Sequence, residues 1–297
     1  MGCQAFPRLP PFGQRGRLRT VTQILSAADA AADAARDTLR AESLRWHHGG
    51  RWIVDGVNLG VRRGEIVGLL GPNGAGKTVT LSMIAGLIKP TSGHVWIGDA
   101  DVTHRPLYER ARLGLGYLPQ ERSIFTKLSA RDNILAILET RPIRRRAARA
   151  RAEELLAQFG LQHVADSLAI ELSGGEQRRL EIARSLASEP HFLLFDEPFA
   201  GIDPLTVESL HQALVALRAR GVGLLLTDHN VRETLSLCDR TYVLFDGRVL
   251  AEGSAPVLAA NEDVRRHFLG ESFELDAAMP GVASAPNPHA AVAFAPR

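Results

Sequence analysis

The residues whose types and spacing point most clearly to a chemical function form a glycine-rich octapeptide that ends in a lysine and a threonine. It comprises Gly71, Pro72, Asn73, Gly74, Ala75, Gly76, Lys77 and Thr78. Its three glycines permit backbone conformations that aim successive N–H groups at one phosphate, and a helix that starts here adds its positive end. The spacing fits G-x-x-x-x-G-K-[ST], in which Lys77 reaches the terminal phosphates and the Thr78 hydroxyl binds Mg²⁺. We therefore predict a nucleoside triphosphate site at this loop.

Two acidic residues end an apolar run far downstream. Asp196 and Glu197 follow the segment His191–Phe195. Ligands of parallel sheets bind beyond the carboxyl ends of strands, where paired carboxylates are costly unless a cation or a reacting water uses them. We predict that Asp196 is the outer Mg²⁺ partner and that Glu197 is the base that polarises the attacking water. The alternative is a surface acid pair that only caps the strand.

The elements that must position these residues follow from the hydrophobic pattern. Short, nearly continuous apolar runs are typical of strands covered on both faces, and they occupy Glu65–Leu70, Phe192–Phe195, Val222–Leu226 and Tyr242–Phe245. Helical stretches such as Leu205–Leu217 alternate with them, which predicts an α/β fold with a mostly parallel sheet. Residues 128–187 have a helical pattern throughout, and we expect them to form a subdomain inserted between strands.

Composition excludes several function classes. The 297 residues include 35 Lys and Arg against 33 Asp and Glu, a formal net charge of +2 that argues against bulk nucleic-acid binding. Two cysteines cannot build a disulfide framework, which favours a reducing compartment. No apolar stretch approaches the roughly 18–20 residues that cross a bilayer, so we expect membrane association only through partners.

Both ends of the chain differ from its middle. Residues 1–40 start basic and turn Ala-rich, and residues 276–297 are rich in Ala and Pro, so we predict disordered extensions at both. Six arginines between Arg141 and Arg151 precede two glutamates on a helical pattern. We interpret this arginine run as a solvated helix face, and a secondary attraction to anionic lipid headgroups stays open.

A further motif carries a family resemblance. Leu172-Ser173-Gly174-Gly175-Glu176-Gln177 resembles the signature motif of ABC-type ATPases. Ser173 and Glu176 have the spacing of a capping box, and Gly174 and Gly175 expose the first N–H groups of a helix predicted over Glu176–Ala187. This makes a second anion site, fit for a γ-phosphate. A plain helix cap would explain Ser173 and Glu176 but not the paired glycines.

Other elements follow in the order of that family. Gln120 in Tyr117-Leu-Pro-Gln120 resembles its Q-loop, Ala200-Gly-Ile-Asp203 its D-loop, and His229 its switch histidine, so that the resemblance spans roughly Thr38 to Leu275. It implies a P-loop NTPase fold over residues 41–272, with a RecA-like core, an inserted helical signature subdomain and an antiparallel β portion on the N-terminal side. The implied ligands are ATP and Mg²⁺.

The resemblance also implies roles. Gln120 would contact Mg²⁺ and relay the nucleotide state to membrane subunits, and Asp203 would couple two sites. His229 would contact the γ-phosphate and hold Glu197 and the water in place. One chain has a single copy of each motif, so a complete site of this family needs a second chain, whose Ser173, Gly174, Gly175 and Glu176 act in trans. We therefore expect a homodimer with ATP between the chains.

Two positions depart from the family pattern. The residue expected to stack on adenine is His48, where the family usually has an aromatic side chain with stronger stacking. Val79 follows Thr78 where a hydroxyl often serves the α-phosphate, which removes one hydrogen bond worth about 1 kcal/mol. We expect weaker binding with the chemistry intact.

Three longer segments resemble the ATPase subunits of lipopolysaccharide export transporters: Gly116–Phe125, Thr227–Leu235 and Phe268–Leu275. This implies a homodimer bound to two different membrane subunits on the cytoplasmic side of the inner membrane, where ATP powers lipopolysaccharide extraction. The alternative is the ATPase subunit of a branched-chain amino-acid importer. Ile124 and Phe125 are expected to be exposed and to dock the membrane subunits, and packing into the helical subdomain is the other interpretation.

Two further function classes fit less well. Soluble ABC ATPases of DNA repair or translation usually carry a long coiled-coil insertion or a second cassette, and neither pattern is in this sequence. A catalytically silent binding module would not need Lys77, Asp196, Glu197 and His229 together. We therefore predict an enzyme that hydrolyses ATP.

Overall fold

The computed structural model describes residues 37–201, 204–270 and 273, and these form two β-sheets with helices around them. The strands are β1 (Thr38–His48), β2 (Arg51–Arg62), β3 (Ile66–Leu70), β4 (Ser92–Ile97), β5 (Ala100–Asp101), β6 (Leu115–Leu118), β7 (Phe192–Asp196), β8 (Gly223–Thr227), β9 (Arg240–Phe245) and β10 (Arg248–Gly253). The α-helices are α1 (Lys77–Ala85), α2 (Leu107–Arg112), α3 (Ala130–Leu138), α4 (Arg145–Gln158), α5 (Gly174–Leu186), α6 (Pro204–Ala219), α7 (Val231–Leu237), α8 (Ala255–Ala260) and α9 (Glu262–Val264). Short 3₁₀ turns occupy Gln162–Val164 and Ala169–Glu171, and a π-turn occupies Arg265–Leu269. The predicted terminal extensions lie outside the described residues, apart from 37–40.

The larger sheet has the strand order β10-β9-β3-β8-β7-β6. Its pairings are parallel except that of β9 with β10. Every residue of β3, β7 and β8 is buried, because helices cover one face of the sheet and the smaller sheet with α1 covers the other, which confirms the interpretation of the continuous apolar runs. β3 begins at Ile66 rather than at the predicted Glu65. The Glu65 carboxylate accepts the N–H of Arg62 at 2.9 Å, so Glu65 belongs to the preceding turn.

The smaller sheet is antiparallel, with the order β2-β1-β4-β5, and it confirms the predicted antiparallel portion on the N-terminal side. β1 and β2 form a hairpin that closes through Gly49 and Gly50, both with positive φ. Apolar side chains of β1 and β2 pack with those of β3 and α1 in one shared core, which fixes the hairpin against the phosphate loop.

Between β6 and β7 the described chain is largely helical. α3, α4 and α5 bury a common set of side chains, which includes Ile134, Leu155 and Leu180. The predicted helix Glu176–Ala187 begins two residues earlier, at Gly174, because the Ser173 side chain caps it. Among the residues that the structure describes, no helix is long and apolar enough to cross a membrane.

Candidate functional site

The phosphate loop lies between the end of β3 and the start of α1. Gly71 and Gly76 have φ values of 151° and 98°. A Cβ on Gly71 would lie 2.3 Å from the carbonyl oxygen of Leu244, and one on Gly76 would lie 2.7 Å from that of Ile53. Both glycines are therefore required by close backbone approach, since β2 and β9 clamp the loop from two sides.

Lys77 is buried within this loop. Its Nζ donates to the carbonyl oxygens of Gly71 at 2.7 Å and of Pro72 at 3.1 Å. Burial lowers the pKa of Lys77, although the nearby carboxylates of Glu197 and Asp196 oppose that effect. Within the described residues Lys77 has no ion pair, so its remaining N–H donor is available to a phosphate oxygen.

Asp196 is buried, with 2% of its surface exposed. Its Oδ1 accepts the hydroxyl of Thr227 at 2.7 Å and that of Thr78 at 3.3 Å. A hydroxyl and a carboxylate are hard oxygen donors, which suit Mg²⁺ rather than a soft metal. The donor set therefore fits the predicted ion, with Thr78 and Asp196 as its nearest protein groups.

Glu197 has an unusual backbone and several partners. Its φ of 49° is in the left-handed region, a strained state for glutamate that its N–H bond to the carbonyl of Thr227, at 2.9 Å, helps to hold. Gln120 donates from Nε2 to Oε2 of Glu197 at 2.9 Å. Nδ1 of His229 lies 3.6 Å from the same oxygen. The structure thus brings Gln120, Glu197 and His229 together from the ends of three neighbouring strands.

Two neighbouring residues were missed in the sequence. Thr227 holds Asp196 and the Glu197 backbone, as described above. Asp228 is fully buried and accepts the N–H groups of Phe199 at 3.1 Å and Asn230 at 2.8 Å, which orders the loops after β7 and β8. Both residues end the apolar run of β8, so the rule that found Asp196 at the end of β7 could have found them too.

The signature segment begins α5 with the predicted capping box. Ser173 Oγ accepts the N–H of Glu176 at 3.3 Å, and the Glu176 carboxylate accepts the N–H of Ser173 at 2.8 Å. The Ser173 hydroxyl also donates to that carboxylate and holds the pKa of Glu176 below its usual value. Gly174 and Gly175 line an open cavity of about 420 Å³ that Glu197 and Gln120 also line.

The other predicted nucleotide contacts lie around the loop. His48 ends β1, and its imidazole stacks on the indole of Trp46 with 5.1 Å between ring centroids, which leaves one face for a base. Val79 is half-buried against the shared core of the two sheets. Asp203, the predicted D-loop residue, lies outside the described residues.

The expected exposure of Ile124 is wrong. Its side chain is buried in the core of the helical region, where the chain turns inward after Ser123. Phe125 is 45% exposed, as expected, and Asn133 fixes its backbone by accepting its N–H at 2.9 Å and donating to its carbonyl at 3.0 Å. The guanidinium of Arg184 lies 4.9 Å from the Phe125 ring centroid.

Comparison with known proteins adds a family to this geometry. The family described as "ABC transporter" matches residues 54–200. The lipopolysaccharide export system ATP-binding protein LptB of Acidithiobacillus ferridurans is 50% identical over 239 residues, which cover 80% of this chain and 99% of that protein. LptB of Escherichia coli K12 is 48% identical with the same coverage.

Solved structures share the fold. The ADP conformation of MJ1267, an ATP-binding cassette of an ABC transporter, superposes with a TM-score of 0.70 at 27% identity and covers 78% of this chain and 98% of that one. The dimeric post-hydrolysis state of the cassette MJ0796 with ADP and Pi superposes with a TM-score of 0.65 at 28% identity, over 73% and 98% of the two chains.

Proposed function

The chain belongs to the ABC transporter family as an ATP-binding subunit with ATPase activity, and we propose that it powers lipopolysaccharide export. The observation that carries the proposal is similarity at 48–50% identity over 99% of the length of two LptB proteins.

We assign ATP to the phosphate loop. Backbone N–H groups of residues 71–78 hold the phosphates, Lys77 donates to the terminal ones, and His48 stacks on the base with its free face. Glu197 accepts a proton from the attacking water, since its carboxylate is already oriented by Gln120 and His229. The left-handed backbone of Glu197 supports this role, because such strain is retained where a side chain must point in one direction.

We assign Mg²⁺ to Thr78 and Asp196, with Gln120 as a further ligand through its amide oxygen. The ion, when bound, would neutralise charge on the phosphate oxygens. Thr227 donates to the same Oδ1 of Asp196 as Thr78 does and so helps to fix the carboxylate for that contact.

We propose that two copies of the chain share two ATP molecules. Gly174 and Gly175 expose N–H groups at the start of α5, and Ser173 and Glu176 use their side chains to hold that start in place. In the homodimer this segment faces the phosphate loop of the other copy, and we assign to Asp203 the coupling of the two sites. ABC cassettes act as dimers with membrane subunits, and the post-hydrolysis structure of MJ0796 is described as dimeric.

The surface that would meet the membrane subunits is an apolar docking patch. It consists of four exposed large side chains: Phe125, Leu128, Leu168 and Ile170. Backbone hydrogen bonds join the two segments that carry these side chains. The N–H of Ala169 donates to the carbonyl of Leu128 at 2.9 Å, and the N–H of Ile170 donates to the carbonyl of Thr126 at 3.2 Å. An ordered, exposed apolar patch favours a protein partner, so we propose two membrane subunits here and a position on the cytoplasmic side of the inner membrane. Nucleic acid is not a proposed partner.

The test is transport by the assembled complex. The tagged chain is purified from membranes of its native host, co-purifying membrane proteins are identified, and the complex is reconstituted in liposomes that contain lipopolysaccharide. We expect release of lipopolysaccharide that depends on ATP and is lost in Glu197→Gln. ATP turnover stimulated by branched-chain amino acids, without lipopolysaccharide release, would establish the importer instead.

A further inference from the structure

We propose that Arg122 is a phosphate-binding residue of the signature segment and contacts the terminal phosphate of ATP held by the second copy of the chain. This inference rests on the homodimer of the proposed function. It adds a cationic side chain next to the backbone N–H groups and the serine that begin α5, in a cavity that Arg178 and Arg179 also line.

The position of Arg122 supports this role. Arg122 follows Gln120 by two residues, is exposed, and lines the same cavity as Gly174 and Gly175. It donates to Oε1 of Gln177, and a Cβ on Gly174 would lie 3.4 Å from its Nη2. The guanidinium therefore lies against the first turn of α5, where the exposed N–H groups are.

Gln177 fixes that placement. Its Nε2 donates to the carbonyl oxygens of Ala169 at 3.1 Å and Leu172 at 2.9 Å, so its oxygen has one orientation toward Arg122. A guanidinium has five N–H donors, and one of them is used on Gln177. The others can serve a phosphate without breaking the contact that holds the side chain.

The charges around the cavity show why a cation is needed. The Glu176 carboxylate lies at the start of α5, and the Glu197 carboxylate lines the cavity, so both negative charges repel a triphosphate. Of the other cations that line the cavity, Arg178 is neutralised by Glu181 at 2.9 Å, and Arg179 lies further along α5 than the first N–H groups. Arg122 has a neutral partner and, among the described residues, makes no ion pair. Its charge is therefore available to an anion in this cavity.

The first experiment measures dimer formation in the Glu197→Gln parent, which retains ATP. We expect Arg122→Gln to raise the protein concentration needed for ATP-dependent dimers by about tenfold, because one charge-assisted contact per site is lost. Arg122→Lys should recover part of the loss. Nucleotide affinity of the dilute monomer should not change. Lys127→Gln, an exposed cation of the same loop outside the cavity, is the matched control and should dimerise like the parent.

The second experiment separates action on the other chain from action on the same chain. One mixture pairs a Lys77→Ala chain with an Arg122→Gln chain, and the other pairs a doubly substituted chain with an unsubstituted one, all in the parent background. Both mixed dimers carry the same two changes in different arrangements. Each chain carries its own fluorescent label, so that only mixed dimers are counted. Contact with the other chain leaves one intact site only in the mixed dimer of the first mixture, which should therefore form at lower concentration than the mixed dimer of the second.

Three results would overturn the inference. Formation of the second mixed dimer at lower concentration than the first would place the contact between Arg122 and ATP within one chain. Formation of both mixed dimers at equal concentration would reduce Arg122 to a structural role. A parent that never dimerises with ATP would refute the proposed homodimer itself, and the inference with it. A parent that dimerises while the two mixtures behave alike leaves the proposed function intact and removes only the role of Arg122.

Discussion

At the scale of single residues, the carboxylate of Glu197 is the best-oriented group of the site. Its backbone φ of 49°, the Gln120 amide and the His229 ring constrain it from three directions. These constraints originate at the ends of β6, β7 and β8, which are neighbours in the sheet. The direction of the carboxylate therefore depends on the sheet itself rather than on a mobile loop.

Replacing Glu197 with glutamine tests this assignment. The amide keeps the shape and the hydrogen bonds but cannot take a proton, so we expect ATP turnover to fall by at least about a hundredfold while ATP binding persists. Turnover and retained ATP are measured on the same preparation. Glu121→Gln makes the same charge change on an exposed neighbour of Gln120 and should retain turnover within about twofold. Hydrolysis by Glu197→Gln at the rate of the unsubstituted chain would exclude Glu197 as the base.

At the scale of elements, the segment between β6 and α3 connects the catalytic carboxylate to the docking patch. Gln120 contacts Glu197 at one end, and Asn133 of α3 clamps Phe125 at the other. Between them, Ser123 donates its N–H to Glu181 at 2.6 Å and accepts from Arg184 at 2.6 Å. A shift of this segment would therefore displace α5 and also change the contacts with a bound partner.

Phe125→Ala should weaken assembly with the membrane subunits by about tenfold or more, because the one aromatic side chain of the docking patch is lost. ATP binding should not change, since Phe125 does not reach the phosphate loop. Tyr108→Ala is a close control: that ring is also exposed, lies 5.7 Å from the guanidinium of Arg112, and belongs to α2. Equal co-purification of Phe125→Ala and the parent would contradict the docking assignment.

Elements that depend on local pattern could be predicted from the sequence, and tertiary contacts could not. The buried strands, the phosphate loop and the capping box follow from patterns that span only a few residues, such as the spacing of Ser173 and Glu176. The burial of Ile124 beside the exposure of Phe125 depends on how the chain turns against α3, which two adjacent apolar residues do not reveal. The contact between Arg122 and Gln177 likewise depends on how α5 packs, so the sequence alone does not reveal it. The roles of the site residues stay predictions.

At the scale of the whole molecule, several carboxylates link stability to pH. Hydrogen bonds hold the pKa values of Asp101, Glu176 and Glu189 below their usual 3.8 or 4.5, with donors from Thr103, Ser173 and Arg141 respectively. The unfolded chain therefore binds more protons than the folded chain once the pH falls below about 4.5. Their stabilising contribution is complete above that pH and is lost as the pH falls through the lower folded values.

We expect the free energy of unfolding to fall steadily from pH 5 to pH 3, as measured by urea unfolding with tryptophan fluorescence. Glu176→Gln should show a shallower decline, because the amide takes up no proton. Glu139→Gln, which removes one exposed charge from the end of α3, measures the effect of net charge alone. Stability that stays constant between pH 5 and pH 3 would contradict the expectation.

The position of β3 has a consequence for synthesis on the ribosome. The neighbours of β3 in the sheet are β8 and β9, which begin at Gly223 and Arg240. At about 5–20 residues per second, the roughly 150 residues between β3 and β8 take some 8 to 30 s to translate. During that interval the hairpin of β1 and β2 and the strands β4 and β5 can already pair, because they lie within the first 101 residues. The nascent phosphate loop meanwhile has β2 on one side but lacks β9 on the other, so we expect a nucleotide to be captured only after residues 223–245 have been synthesised.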